Sequence, residues 1–184
     1  MAEVLSFLRR MLPGALLAMA LFAAALPPRR RRLRRLGLVS APAREWMLLL
    51  FAMYTGGLAM LTLTPPGFDF WEVLRRGWEG PFFQKGPRNL ELFKTLRYSK
   101  LVLAGNFIMF LPFGFLPALL WRGGRWYRAL AVAVGVTACI ECWQLFIGRS
   151  FDVDDLLFNA VGAMLGWLLW LAVKKPTLTC EERV

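Results

Sequence analysis

The chain has no histidine among its 184 residues. Histidine is the commonest general base near neutral pH, so its absence excludes Ser-His-Asp and Cys-His catalysis. Cysteine is scarce as well, at three residues, and implies no disulfide framework. Cys139 and Cys142 form a C-x-x-C pair within an apolar stretch that predicts a helix. We interpret them as small packing residues rather than as a redox pair.

Acidic residues are few, with 12 Asp and Glu against 23 Lys and Arg, a formal net charge of +11. In a soluble protein this excess would indicate a nucleic-acid partner. Here 58% of the residues are hydrophobic and the mean hydropathy is +0.49, which leaves no soluble domain to present a basic groove. We therefore expect no nucleic-acid partner. The sequence has no glycine-rich phosphate loop or dinucleotide fingerprint, and we expect no cofactor.

Several uncharged runs approach the roughly 20 residues that a helix needs to cross a bilayer. Eight Trp and 15 Phe fit the aromatic belts of a membrane protein. The sequence thus predicts an all-α, polytopic transmembrane helical bundle in a single integral membrane domain, residues 1–184. We predict its five helices at residues 4–26, 46–64, 101–121, 126–147 and 156–173. Between the second and third, Phe70–Trp78 predicts a short amphipathic helix, with an ordinary loop as the alternative.

A dense basic cluster follows the first predicted helix, with six arginines among the seven residues Arg29–Arg35. Basic connections stay in the cytoplasm, so we interpret this cluster as a topology anchor. The N-terminus is then predicted outside the cell and the C-terminus inside. Membrane lipids are the expected partners, with anionic headgroups near the cluster.

The stretch from Glu141 to Asn159 joins the last two predicted helices and carries most of the polar groups close to hydrocarbon. Ionisable groups there are costly, so each needs a partner or a function. Alternating helices bring the start of the third, the end of the fourth and the start of the fifth to one membrane side. The candidate polar or ligand-binding residues at that side are Asn106, Glu141, Gln144, Arg149, Asp152, Asp154, Asp155 and Asn159.

Glu141 is the candidate catalytic residue, as a general acid or base. The alternative is structural: a hydrogen bond to Gln144 or Asn106 that holds the helices together.

The acidic run at Asp152, Asp154 and Asp155 has three interpretations. It favours capping of the fifth helix, with Asp152 at the N-cap and the other two carboxylates facing the positive end of the helix dipole. A divalent metal site and an ion pair with Arg149 are the alternatives.

Gly162 and Gly166 form a G-x-x-x-G pair on the face that continues from Asp155 and Asn159. This spacing favours close helix packing inside the chain over dimerisation. In the third predicted helix, Pro112, Gly114 and Pro117 disrupt the hydrogen-bond ladder, which predicts a kinked, interior-facing helix.

Four ordered blocks resemble the VanZ-like family of bacterial membrane proteins, named for a member linked to resistance to the glycopeptide teicoplanin. The resemblance covers about residues 89–173. The blocks are Asn89-Leu90-x-x-Phe93, Asn106-x-x-x-Phe110-x-Pro112-x-Gly114-Phe115, Glu141-x-x-Gln144 and Arg149-x-x-Asp152-x-Asp154-Asp155-x-x-x-Asn159-x-x-Gly162.

The resemblance implies a multi-pass protein of the bacterial cytoplasmic membrane. It also implies a role in the cell envelope, with a contribution to glycopeptide resistance. The leading hypothesis is an outward-facing polar site that binds an amphipathic glycopeptide or a lipid-linked precursor headgroup. An enzyme acting on such a headgroup is one alternative, in which Arg149 neutralises a phosphate or oxyanion. A small transporter is the other.

Overall fold

Apolar runs of this length form helices because a helix satisfies every backbone polar group within its own segment. The computed structural model describes residues 2–94, 100–121, 125–173 and 180–182. Within these residues the helices are α1 (Ala2–Arg35), α2 (Pro42–Thr62), α3 (Phe70–Arg76), α4 (Lys100–Leu120), α5 (Trp126–Gln144) and α6 (Val153–Val173). The short strands are β1 (Leu38–Ser40), β2 (Arg88–Asn89), β3 (Phe151–Asp152) and β4 (Cys180–Glu182).

The all-α bundle predicted from the sequence is confirmed, with fewer clear membrane spans than the five expected. By length and composition, three helices among the described residues can cross a membrane: Leu5–Arg35, Pro42–Thr62 and Val153–Val173. The apolar part of α4, Ala104–Leu120, is shorter. Helix α5 carries Arg128 and Glu141 among its 19 residues, and these charges lower its hydropathy.

Helix α1 extends well beyond the predicted end at residue 26 and includes the arginine cluster in its last turns. Arginine is a good helix former, so the helix continues past Pro27 and Pro28 once it leaves the apolar stretch. The Arg29 guanidinium donates to the Glu45 carboxylate of α2, which holds this end of the helix. The helix ends at Arg35, and Gly37 follows with a φ of 68°, which suits a glycine just beyond a helix C-terminus.

Two further bounds differ from the sequence prediction by about one turn. Helix α2 begins at Pro42, and proline is well suited to a first helical position. Helix α5 ends at Gln144 rather than at residue 147, because Ile147 forms a parallel bridge with Gln84 instead. Helix α3 occupies the stretch for which we predicted a short amphipathic helix.

The described residues divide into two compact units, and the first contains α1, α2, α3, β1 and β4. Helices α1 and α2 meet at Gly14 and Gly56, where a Cβ on Gly14 would lie 2.2 Å from the Gly56 carbonyl oxygen. An Arg9–Asp69 ion pair of 2.9 Å lies at the opposite end of α1 from Arg29. Strands β1 and β4 pair antiparallel, which brings the C-terminal segment beside the first connection.

The second unit contains α4, α5, α6, β2 and β3. Helices α4 and α6 approach so closely that a Cβ on Gly162 would lie 2.2 Å from the Phe107 carbonyl oxygen. The corresponding distance from Gly166 to the Leu111 oxygen is 2.0 Å. The glycine pair therefore serves packing within the chain, as the spacing favours. The buried apolar residues of this unit are Phe110, Phe113, Leu116, Ala118, Leu119, Leu120, Ala129, Ala133, Ile147 and Ala163.

Helix α4 is continuous across Pro112 and Pro117, and much of its C-terminal half is buried, as the interior-facing prediction requires. The interpretation of the cysteine pair is wrong. Cys139 and Cys142 are exposed free thiols on α5, because the face that this helix buries is a different one. That face carries Ala129, Ala133, Thr137, Glu141 and Gln144.

Candidate functional site

The polar residues of the second unit gather where the start of α4, the end of α5 and the start of α6 meet. The buried face of α5 changes from alanine at positions 129 and 133 to polar residues from Thr137 onwards. The buried residues of α6 are polar near its start, at Asp154 and Asn159, and include glycines further along, at Gly162 and Gly166. One end of the unit is therefore polar inside, while the rest is packed through small residues.

Glu141 lies at the centre of this cluster and is only 2% exposed. Its Oε2 atom accepts a 2.9 Å hydrogen bond from the backbone N–H of Asp152. The bond ties the end of α5 to the residue that precedes α6. In this arrangement the carboxylate holds the hairpin rather than facing solvent. Asn106, one partner that the sequence suggested, donates to Asp155 instead.

Asp152 caps α6, as the acidic run predicts. Its Oδ1 atom accepts from the backbone N–H of Asp154 at 2.9 Å, which satisfies one of the free donors in the first helical turn. Its Oδ2 atom accepts from Nδ2 of Asn89 at 3.1 Å. Strands β2 and β3 pair in parallel with Asn89 opposite Asp152, so the first sequence block is joined to the last through both backbone and side chain.

Asp154 is fully buried and accepts a 2.5 Å hydrogen bond from the backbone N–H of Phe93. Phe93 is the only described residue other than glycine with positive φ, at 63°. That conformation is strained for a bulky side chain and persists only where its surroundings hold it. The hydrogen bond to the buried Asp154 carboxylate holds Phe93 in this conformation, and the Phe93 ring remains exposed at the surface.

Two side-chain pairs connect the helices below the hairpin. Asn106 of α4 donates to Oδ1 of Asp155 on α6. Asn159 of α6 donates to the Thr137 hydroxyl of α5 at 2.6 Å. Thr137 was missed in the sequence because a helical threonine usually bonds its own backbone. Its position one turn before Glu141, on the same face, was the available signal.

Arg149 is half-buried in the hairpin, and its backbone N–H donates to the Gln144 carbonyl oxygen at 3.0 Å. Its charge interacts favourably with Glu141 and Asp155. The acidic groups act on one another in the opposite sense, since Asp152 repels both Glu141 and Asp155. One arginine thus offsets part of a compact group of carboxyl groups.

The metal alternative for Asp152, Asp154 and Asp155 receives no support from the described residues. Each carboxylate accepts a hydrogen bond from a different part of the chain. Within the described ranges, no group of three or more His, Cys, Asp or Glu residues is arranged to hold a metal ion.

A groove of about 370 Å³ opens at the same end of the unit. Its walls come from the segment that precedes β2 and from the turn that follows α5. Sequence reasoning missed it because its residues are far apart in the chain and carry no recognisable spacing. The residues that line it are Phe83, Gln84, Lys85, Arg88, Leu145 and Phe146.

A sequence model of the VanZ/LLP1 family matches residues 46–174, well over half of the chain. The chain belongs to the VanZ/LLP1 family. The match begins earlier than residue 89, where the resemblance in the sequence started, and takes in most of α2. No curated protein and no solved structure matches the chain.

In this VanZ-like chain the four sequence blocks converge on one structural unit. Hydrogen bonds join residues of different blocks. The side chain of Asn89 bonds to Asp152, the backbone N–H of Phe93 to Asp154, the side chain of Asn106 to Asp155, and the Glu141 carboxylate to the Asp152 backbone N–H. The ring of Phe110, an apolar member of the second block, stacks on the neighbouring Phe113 ring with centroids 5.0 Å apart. These contacts account for the spacing of the blocks, which lie up to about 60 residues apart in the chain.

Proposed function

We propose that this VanZ-like membrane protein binds an amphipathic ligand, or the headgroup of a lipid-linked precursor, at the polar end of its second unit. The observation that carries the proposal is the direction of the charges. Glu141, Asp152 and Asp154 are buried and hydrogen-bonded inside, while Lys85 and Arg88 are exposed at the surface. The inner carboxylates fix the hairpin, and the surface presents positive charge and aromatic rings to a ligand.

We further propose that this end faces outward from the bacterial cytoplasmic membrane, with the N-terminus outside and the C-terminus inside. The Arg29–Arg35 cluster supports this orientation through its preference for the cytoplasm. A site at the outer leaflet would meet cell-wall precursors and amphipathic glycopeptides where they act. The role that follows is in the cell envelope, with a contribution to glycopeptide resistance.

Labelling of cysteines from outside the cell tests the orientation. In a background without the native cysteines, Ser150→Cys should react with a membrane-impermeant maleimide, because Ser150 is exposed in the hairpin. Arg125→Cys, at the other end of α5, should be protected. The reverse pattern would place the polar end in the cytoplasm and overturn the outward-facing proposal.

Binding of teicoplanin to the purified full chain in nanodiscs tests the ligand class. We expect saturable binding that weakens when Arg149 is changed to glutamine, because the hairpin loses a positive charge. A glycopeptide without a lipid tail is the matched control and should bind more weakly. Equal binding of both glycopeptides, or of neither, would contradict recognition of an amphipathic glycopeptide.

A further inference from the structure

We infer that the groove between Phe83 and Phe146 is a binding site for a phosphate-bearing lipid, with the phosphate held by Lys85 and Arg88. The inference rests on the proposed function and names the class of ligand and its position. Neither cation was among the site residues expected from the sequence. Four observations carry the assignment: charge, apolar lining, position relative to the membrane interface, and a rigid floor.

Charge comes first. Lys85 and Arg88 are exposed, and neither forms an ion pair with any residue in the described ranges. On the strand that pairs with β2 and at the start of α6, the Asp152 and Asp154 carboxylates are buried and already accept hydrogen bonds, while Glu91 pairs with Lys94. The two cations are therefore left to an external anion. Lysine and arginine together make a common phosphate site, as a point charge and a planar fork.

The lining of the groove explains why a lipid fits better than a free anion. Phe83, Leu145 and Phe146 form its apolar wall, and both phenylalanine rings are largely exposed. An inorganic phosphate would leave this wall in water. The glycerol and upper acyl region of a lipid would cover it, at a gain of about 25 cal/mol per Å² of apolar surface removed from water.

The surrounding aromatic residues indicate the depth of the groove. The Phe83 ring packs edge-on against Trp143 with centroids 6.2 Å apart, and against Phe82 at 5.3 Å. Tryptophan concentrates at the level of lipid headgroups because its ring is amphipathic, so it is Trp143 that indicates this depth. A groove beside it lies where the phosphates of a leaflet are.

The floor of the groove is built from paired backbone. The Gln84 N–H donates to the Phe146 carbonyl oxygen at 2.7 Å, and the Gly86 N–H donates to the Leu145 oxygen at 2.8 Å. Gly86 is buried, and a Cβ there would lie 1.7 Å from the Arg149 carbonyl oxygen. These contacts fix Lys85 between two anchored neighbours and join the groove to the Arg149 hairpin.

The test is native mass spectrometry of the full chain, purified in a neutral detergent and titrated with phosphatidylglycerol, phosphatidylcholine or diacylglycerol. The wild type should retain phosphatidylglycerol most strongly. Phosphatidylcholine should be weaker because its choline cation is repelled, and diacylglycerol weakest because it has no phosphate. The double variant Lys85→Gln with Arg88→Gln should bind phosphatidylglycerol about tenfold more weakly, since two partly exposed charge-assisted contacts are lost.

The control variant is Arg125→Gln with Arg128→Gln, which removes the same charge at the exposed, opposite end of α5. It should retain phosphatidylglycerol as the wild type does. Both double variants change exposed side chains, and size-exclusion profiles establish that each is folded. If both double variants lost phosphatidylglycerol equally, only net charge would attract the lipid and the site would be overturned. The site would also be overturned if the wild type and the Lys85→Gln, Arg88→Gln double variant retained phosphatidylglycerol equally.

A second arm separates lipid from free phosphate. Phe146→Ala should weaken retention of phosphatidylglycerol, and millimolar inorganic phosphate should not displace the lipid. Displacement at that concentration would make a free anion the ligand and overturn the lipid assignment. The teicoplanin measurement is independent. Suppose that the chain binds teicoplanin but that its retention of phosphatidylglycerol does not depend on Lys85 and Arg88. The proposed function would then stand, and the lipid site in the groove would be overturned.

Discussion

The two units of the chain bring helices together by the same device but treat polar groups differently. In the first, α1 and α2 meet at Gly14 and Gly56, and the ion pairs of Arg9 and Arg29 lie near the helix ends. In the second, glycines again allow close helix contact, but carboxylates and amides lie buried between the helices at one end.

The comparison separates two roles that are easily confused in membrane proteins. Packing through small residues brings helices together in lipid, and in the first unit the ion pair between α1 and α2, Arg29 with Glu45, lies near the helix ends rather than at the glycine contact. The buried polar groups of the second unit have a different role. They fix the hairpin between α5 and α6 and the loop that carries Phe93, and so they shape the surface next to the groove.

The largest effect is expected from Gly114→Ala in the second unit. An added Cβ would lie 1.7 Å from the Ala163 carbonyl oxygen, so α4 and α6 must move apart. We expect a loss of about 3 kcal/mol in the free energy of unfolding, at the upper end for overpacking. Unfolding of the purified protein in mixed detergent micelles measures it. Gly105→Ala on the same helix has nothing within 4 Å of its Cβ and should change stability by less than about 1 kcal/mol.

If Gly114→Ala were as mild as Gly105→Ala, close packing of α4 on α6 would not be what stabilises this unit. The contrast between glycine packing and the polar cluster would then be wrong.

The next largest effect is expected at Glu141, where two substitutions distinguish the contribution of side-chain volume from that of the hydrogen bond. Glu141→Leu keeps most of the volume but leaves the buried Asp152 N–H without its acceptor, at a cost of about 1–3 kcal/mol. Glu141→Gln retains an acceptor oxygen and should be milder in the same unfolding assay. Equal loss in the two variants would show that the negative charge, rather than the hydrogen bond, stabilises the hairpin.

A smaller effect is expected for the pair formed by Thr137 and Asn159. Each of Thr137→Val and Asn159→Leu removes one partner of the 2.6 Å hydrogen bond between α5 and α6. A double-mutant cycle should give a coupling of about 0.6 kcal/mol, the average for side-chain hydrogen bonds between membrane helices. A coupling of zero would mean that this bond adds nothing to the packing of α5 on α6.

The smallest effect is expected in the first unit, at Arg9 and Asp69. The Arg9 side chain is 56% exposed, so its ion pair is screened by water. Arg9→Gln should cost no more than about 1 kcal/mol, and salt should reduce the difference. Asp69 also caps α3 by accepting from the Trp71 N–H at 2.9 Å. Asp69→Asn keeps that cap and is the matched control for loss of charge alone.

The sequence by itself determined the helical class and the membrane setting, because apolar runs of this length have few other stable structures. The sequence also predicted that Asn106, Glu141 and Asn159, on α4, α5 and α6, lie at the same end of these helices, because successive membrane helices alternate in direction. The Asp152 cap and the glycine spacing at Gly162 and Gly166 were visible for the same reason. Both depend on local geometry and helical periodicity.

Only the tertiary structure decided which polar groups bond to one another. Glu141 pairs with a backbone N–H, Asn106 with Asp155, and Asn159 with Thr137, and no spacing in the sequence distinguishes these partners from their neighbours. Hydrogen bonding between helices depends on the rotation of each helix about its axis, which is set by packing along its whole length. The groove depends on the same packing, because Lys85 lies beside Phe146 only once Gln84 and Gly86 are paired with the turn after α5.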